Sequence, residues 1–179
     1  YKTLNSINKI NKPYRLCWFG THNNHLSIIK AIDEISNYQN EIFLNIITNR
    51  INDLKNSLNF IKNKINIKFT EWSLEMDKEI YKNDIVIIPL INDKPNIVKS
   101  SNRIIDSLNM GRFVIINDNN QFSEFRNFCY FGNIIEGLNW ISKNENLAVE
   151  KIKKGQKYVI QNYNLKKIGE DWSNLIKSI

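Results

Sequence analysis

The chain has 179 residues, 42% hydrophobic, 24% charged and 11% aromatic, with 25 Lys and Arg against 18 Asp and Glu and a net charge of +7. This apolar content excludes a disordered chain, and six Gly and three Pro exclude collagen-like and low-complexity classes. No apolar run approaches the roughly 20 residues that cross a bilayer, and the first residues lack a signal-peptide pattern, so a cytoplasmic domain of ordinary size is expected.

Residues 1–14 are polar and contain Pro13, which predicts a linker or strap, and a start at Tyr1 suggests that it joins something upstream. Residues 15–179 then alternate regularly. Arg15-Leu-Cys-Trp-Phe-Gly20 is a short apolar run closed by Gly, expected as a buried strand. From His25 to Tyr38, Leu26, Ile29, Ile32 and Ile35 recur at helical spacing. Ile42 to Ile47 reads as a second strand. Asn52 is a candidate cap for a helix carrying Leu54, Leu58, Ile61 and Ile65 on one face. Ile65 to Phe69 alternates with period two, a third strand. Ser73 is expected to open a helix, followed by Asp84-Ile-Val-Ile-Ile-Pro-Leu90, the clearest strand in the chain. Residues 91–97 form a loop. A helix is predicted from Val98 to Met110, stopped by Gly111 in the position that wants a left-handed residue. Phe113 to Ile116 is a fifth strand, Ser123 caps a short helix to about Phe128, and Gly132 to Glu136 reads as a sixth strand. From Leu138 the pattern is helical, with a break near Asn162–Asn164.

Strands alternating with helices at this spacing make βαβ units, so the expected fold is α/β: a doubly wound, Rossmann-like parallel sheet with helices on both faces. Ligands in that architecture sit at the C-terminal ends of the strands, which directs attention to 20–25, 48–52, 70–74, 89–99 and 117–123.

The composition carries its own signature. Ile (31), Asn (30) and Lys (20) dominate and Ala appears twice, the bias of an AT-rich genome, so abundant Lys does not by itself indicate nucleic-acid binding. Residues 1–150 are nearly balanced, with 18 basic and 16 acidic side chains. Residues 151–179 carry seven Lys against Glu170 and Asp171. That surplus is either a solvated helix face or a peripheral contact with anionic lipid head groups. Nucleic acid is not an expected partner. Cys17 and Cys129 are too few for a disulfide framework and are expected to be buried and inert.

Gly20-Thr-His-Asn-Asn-His25 follows the first strand. It contains one Gly, so it is neither a dinucleotide fingerprint nor a P-loop. His22 and His25 lack a third ligand at metal spacing, and no metal is expected. A polar loop offering backbone N–H groups to a ligand and a bland loop both fit. Trp72, closing the third strand, either stacks on a base or covers the sheet edge. The richest segment is Val98-Lys-Ser-Ser-Asn-Arg-Ile-Ile-Asp106. A helix N-terminus is the positive end of a dipole and favours acids. Here Lys99 and Arg103 share a face, with Ser100 and Asn102 beside them and no acid before Asp106. Free N–H groups, dipole and two cations make a phosphate or diphosphate site. Asp106 is placed one turn on, to accept hydrogen bonds from sugar hydroxyls. A surface helix with an Arg103–Asp106 pair is the alternative.

The run from Phe69 to Gly111, with its strand ending Ile85-Val-Ile-Ile-Pro89 and its helix ending Asp106-Ser-Leu-Asn-Met-Gly111, resembles the C-terminal, donor-binding domain of retaining GT-B glycosyltransferases. Phe113-Val-Ile-Ile116, Trp140 and the C-terminal helices extend the resemblance over residues 15–179. Departures are specific. Val98 stands where the family has its first acid, Asp93 is the acid nearest to that place, and Gly20-Thr21 replaces Gly-Arg. The resemblance implies a nucleotide-diphosphate-sugar donor as substrate, no cofactor or required metal, and an acceptor domain N-terminal to this one. It implies that Gly20 and Thr21 approach the diphosphate by backbone, that Lys99 and Arg103 stabilise it as leaving group with Ser100 and Asn102 adding hydrogen bonds, that Asp106 takes ribose hydroxyls, and that Trp72 and residues near Thr48–Asn49 frame the base. A non-catalytic binding or interaction module derived from a degenerate domain of that kind is the alternative.

Overall fold

The computed structural model describes residues 5–58, 65–91 and 100–178. Its centre is a parallel six-stranded sheet of order β3-β2-β1-β4-β5-β6. The strands are β1 (Tyr14–Phe19), β2 (Ile42–Thr48), β3 (Asn66–Glu71), β4 (Ile85–Ile88), β5 (Phe113–Ile116) and β6 (Tyr130–Phe131). β1 and β4 are paired at the middle and lie buried almost along their whole length, as β-branched and aromatic runs require when both sheet faces are covered.

One face carries Leu16, Trp18, Leu44, Ile46, Ile87 and Ile115. It is covered by α1 (His25–Ile35), α2 (Ile51–Ser57) and α5 (Ile134–Lys143). The other carries Cys17, Phe19, Ile47, Val86, Ile88 and Val114. It is covered by α3 (Met76–Tyr81), α4 (Asn102–Asn109) and the end of α6 (Glu145–Asn162). The alternation that splits Trp18 from Phe19 is the period of two that sends successive strand side chains to opposite faces. Both cysteines are buried and free, and burial pushes their thiols well above the usual range.

The expected doubly wound sheet is present, and several boundaries move for local reasons. Gly132 to Glu136 is a helix start: Asn133 caps α5 by accepting from the Glu136 N–H at 2.8 Å, and Glu34 on α1 accepts from the Ile134 N–H at 2.9 Å. The sixth strand is the two residues before it. The segment opened by Ser73 becomes helical only at Met76. The helix expected from Ser123 is a 3₁₀ turn over Asn120–Phe125, capped by Asn119. α1 stops at Ile35, and α2 begins at Ile51, one residue before its expected cap. The start of the Val98 helix lies outside the described residues, and its visible part begins at Asn102.

The strap is a packed element. Ile10 is buried, the Ile7 N–H donates to Gly111 O at 3.2 Å, and Ser6 lies against Gly111. The buried Arg112 fastens it. Its guanidinium donates to Asn5 O (2.9 Å), Asn83 O (3.1 Å), Tyr81 O (3.3 Å) and Met110 O (2.9 Å), and lies 4.4 Å over the Tyr81 ring. Three of these carbonyls belong to the ends of α3 and α4, the negative poles of those helices.

The C-terminal break falls at Tyr163 and Asn164, after which α7 (Leu165–Lys177) has no buried residue. Leu165, Trp172, Leu175 and Ile176 are exposed on it. Lys166 and Lys167 pair with Glu170 and Asp171, and Lys154 pairs with Glu150. Lys151 donates to the carbonyls of Arg126 and Asn127. Much of the lysine surplus is thus engaged locally. No helix among the described residues is long and apolar enough to cross a membrane.

Two backbone positions test this account. Gly111 has φ +64°, and a Cβ there would come 2.3 Å from Ser6 Cα, so Gly111→Ala is expected to cost about 2–3 kcal/mol in urea denaturation. Arg50 is left-handed at φ 52°, so Arg50→Gly is expected to stabilise by about 0.5–1 kcal/mol.

Candidate functional site

The crossovers from β1 and β4 leave their shared edge in opposite directions, which opens a crevice above their C-terminal ends. A cleft of about 280 Å³ occupies it. Phe19, Gly20, Thr21 and Asn24 supply one wall from the turn after β1, Trp72 another from the end of β3, and Ser100, Asn102 and Arg103 the third from the start of α4. Of the eight residues expected from the sequence, the structure brings six together: Gly20, Thr21, Trp72, Ser100, Asn102 and Arg103. Lys99 lies outside the described residues, as do Asp93 and Val98. Asp106 departs from the expectation, lining a separate groove of about 210 Å³ with Asn109, Tyr163 and Lys166. It shares a helix side with Asn102, but the rise of about 1.5 Å per residue carries it a turn away from the mouth of the cleft. Asn24 was not singled out by the sequence; its place in the polar segment after β1 was the available signal.

Each wall is fixed by its own bonding. Gly20 N–H donates to Ile47 O at 3.1 Å, and a Cβ on Gly20 would meet the Trp18 ring at 3.0 Å, so the cleft floor is bare backbone over a buried indole. Asn24 closes its turn by donating from N–H to Thr21 O (2.9 Å) and from Nδ2 to Thr21 Oγ1 (3.3 Å). Trp72 is tied by its N–H to Thr48 O at 3.0 Å, leaving its side chain half exposed.

Arg103 carries the electrostatics. Its Nη1 is buried and has no hydrogen-bond partner among the described residues. Burial pushes its pKa down to about 10, so it remains a cation at neutral pH. A charge drawn part-way out of water is costly unless something of opposite sign meets it. The helix ends agree. α2, α3, α5 and α6 each carry an acid in the first turn, and α7 is capped by the Asn164 side chain. α1 and α4, whose N-termini flank the cleft, have neither an acid nor a side-chain cap. Positive dipole ends and a guanidinium with one partnerless nitrogen among the described residues meet at one concavity, an arrangement suited to a multivalent oxyanion.

Beside the cleft, at the ends of β1 and β2, His22 and His25 stand 6.5 Å apart. Asn49 Oδ1 accepts from the His22 N–H at 2.8 Å, and His25 Nε2 lies 3.1 Å from Thr48 Oγ1. Burial, with His22 nearby, holds His25 below the usual imidazole range. No cluster of three or more His, Cys, Asp or Glu suited to a metal occurs among the described residues. A larger groove of about 430 Å³ lies at the other end of the sheet, where Glu79 already pairs with both Lys68 and Lys82. Among the described residues, no buried polar side-chain atom of its lining lacks a partner, in contrast to the Arg103 cleft.

No family model matches this chain, and no curated protein matches it. Solved structures do. HepE of Anabaena, in complex with UDP and glucose, superposes with a TM-score of 0.70 at 11% identity, over 93% of this chain and 48% of that one. TarM of S. aureus, crystallised with UDP among other ligands, gives 0.67 at 13% identity over 98% and 38%. The catalytic domain of the Helicobacter pylori cholesterol-alpha-glucosyltransferase gives 0.60 at 15% identity over 86% and 100%. The likeness is one of fold: this chain has the Rossmann-like architecture of one half of GT-B glycosyltransferases, and it spans less than half the length of HepE and TarM.

The partnerless Arg103 Nη1 makes a stability prediction. Arg103→Met is expected to raise stability by about 1 kcal/mol without ligand, because a partly desolvated charge with a partnerless nitrogen is removed. Inorganic pyrophosphate is expected to raise the melting temperature of the wild type and not of the variant. For His25 the folded state disfavours the imidazolium, so the unfolded chain takes the proton more readily below about pH 6.5. Stability therefore falls as pH drops from 7.5 to 5.5, and His25→Gln is expected to reduce that fall in thermal denaturation.

Proposed function

We propose that this chain is the donor-binding half of a glycosyltransferase, and that its cleft holds the diphosphate of a nucleotide-sugar. The observation that carries the reading is the partly buried Arg103, whose Nη1 is buried and without a partner among the described residues, at a cleft flanked by two uncapped, acid-free helix N-termini. The UDP present in the HepE and TarM structures supports it at the level of fold.

In this reading Gly20 and Thr21 bring bare backbone to the diphosphate, and Ser100 and Asn102 add neutral hydrogen bonds. Trp72 offers a half-exposed ring to the base. Lys99 is assigned the second positive charge from its place in the sequence. Asp106 is not assigned to the ribose, since it lines another groove. When the glycosyl–phosphate bond breaks, the bonding pair stays with the departing diphosphate, which gains negative charge. Arg103 and the dipole of α4 are already aimed at that charge, so the stabilisation grows as the bond lengthens and needs no reorganisation. An acceptor-binding domain, supplied by the rest of a longer polypeptide, completes the enzyme. A metal ion has no part in this reading.

Calorimetric titration with UDP, GDP and ADP tests the proposal. One of the three is expected to bind the wild type, and Arg103→Met is expected to weaken it about 10- to 100-fold, the range for loss of charge-assisted hydrogen bonds. Absence of binding by all three at millimolar concentration, with the chain folded, would move the assignment to a non-catalytic module.

A further inference from the structure

The turn that presents Thr21 and Asn24 to the cleft is held from behind by a residue that does not line the cleft. Asn49 stands one residue past the end of β2. Its Oδ1 accepts from the His22 N–H at 2.8 Å, and its Nδ2 lies 3.4 Å from His22 Nδ1. A backbone N–H can only donate, so the amide orientation is set. An amide nitrogen can only donate too, so His22 Nδ1 is an acceptor and its proton sits on Nε2. Thr48 Oγ1 donates to Asn49 O at 3.2 Å, which leaves its lone pair for His25 Nε2–H at 3.1 Å and gives His25 the same tautomer. One side chain thus grips both the backbone and the ring of the first residue of the 3₁₀ turn His22–Asn24. The following residue, Arg50, is held left-handed, a conformation that a non-glycine residue keeps only where its surroundings impose it.

We propose that Asn49 is a positioning residue for the diphosphate-facing edge of the cleft, acting through His22. This rests on the reading of the cleft given above. By consuming the His22 N–H on the β2 side, Asn49 orients the turn so that Thr21 and Asn24 face α4 across the cleft. Without that grip the turn samples other orientations, and a bound anion has to hold it in place at the expense of affinity.

The experiment combines nitrogen NMR of the imidazoles with titration of UDP, GDP and ADP. In the wild type, His22 is expected to show a bare Nδ1 and a protonated Nε2. In Asn49→Ala that signature is expected to collapse to a tautomer mixture, with affinity for the diphosphate that binds falling about tenfold, equivalent to about 1.4 kcal/mol. His22→Pro supplies the control. Thr21 has φ −79° and ψ 165°, the extended conformation wanted before proline, and the turn position suits proline's fixed φ. That variant removes the N–H and sets the turn covalently, so it is expected to bind nearly as the wild type, and Asn49→Ala added to it is expected to cost nothing further. Equal losses from Asn49→Ala with and without His22→Pro would overturn the role, as would wild-type affinity in Asn49→Ala. No binding by the wild type would overturn the reading of the cleft and this role with it; binding by the wild type with an unchanged His22 tautomer in Asn49→Ala would overturn this role alone.

Discussion

The foot of the molecule is closed by one buried guanidinium. Arg112 reaches the last carbonyls of α3 and α4 and the carbonyl of Asn5. A cation at two helix C-termini meets two negative dipole ends, and a planar fork of five donors suits carbonyls arriving from several directions. Strap, α3, α4 and the start of β5 are thereby joined at one group. At the head of the sheet a second arginine, Arg103, is partly buried, and its buried Nη1 meets no partner among the described residues. The contrast separates two uses of one side chain. Where the protein supplies the acceptors, the arginine fastens the fold. Where it withholds them, a donor is left open, and the proposed anion site rests on that donor.

Most of the sheet is legible in the sequence because its inner strands are fully covered. Ile85-Val-Ile-Ile88 and Phe113-Val-Ile-Ile116 are short, continuous, mostly β-branched runs, the pattern of strands buried on both faces. The sixth strand is two residues long and has no periodicity to read. Its neighbour misleads, since Ile134-Ile135 has strand-like propensity. The Asn133 and Glu136 pair three residues apart is a helix-start signal, and it prevails because Asn133 satisfies a first-turn backbone N–H that a helix leaves open.

The candidate site is legible to the extent that charge and topology determine it. An acid-free helix start after a parallel strand pointed to Ser100, Asn102 and Arg103, and the polar turn after β1 pointed to Gly20 and Thr21. Asp106 shows the limit. Helical spacing gives the side of a helix but not how far along its axis a cleft extends, and here α6 and the start of α7 close over the second turn. Arg112 and Asn49 show another limit. Most of their partners are groups far away in sequence, and a local pattern holds no trace of them.

The strap also has a consequence in time. Its anchor, Arg112 to Asn5 O, joins groups 107 positions apart. β1 likewise waits for β4, because its partner on that side is made only after β2 and β3. A chain emerging from the ribosome at about 5–20 residues per second therefore exposes its first segment for several seconds before the lock exists. During that interval the first three strands present an open edge on β1, where β4 will later add. Residues 1–12 are mostly polar, with three Lys among them, and such a strap can wait in water while the surface that will hold it is still being made.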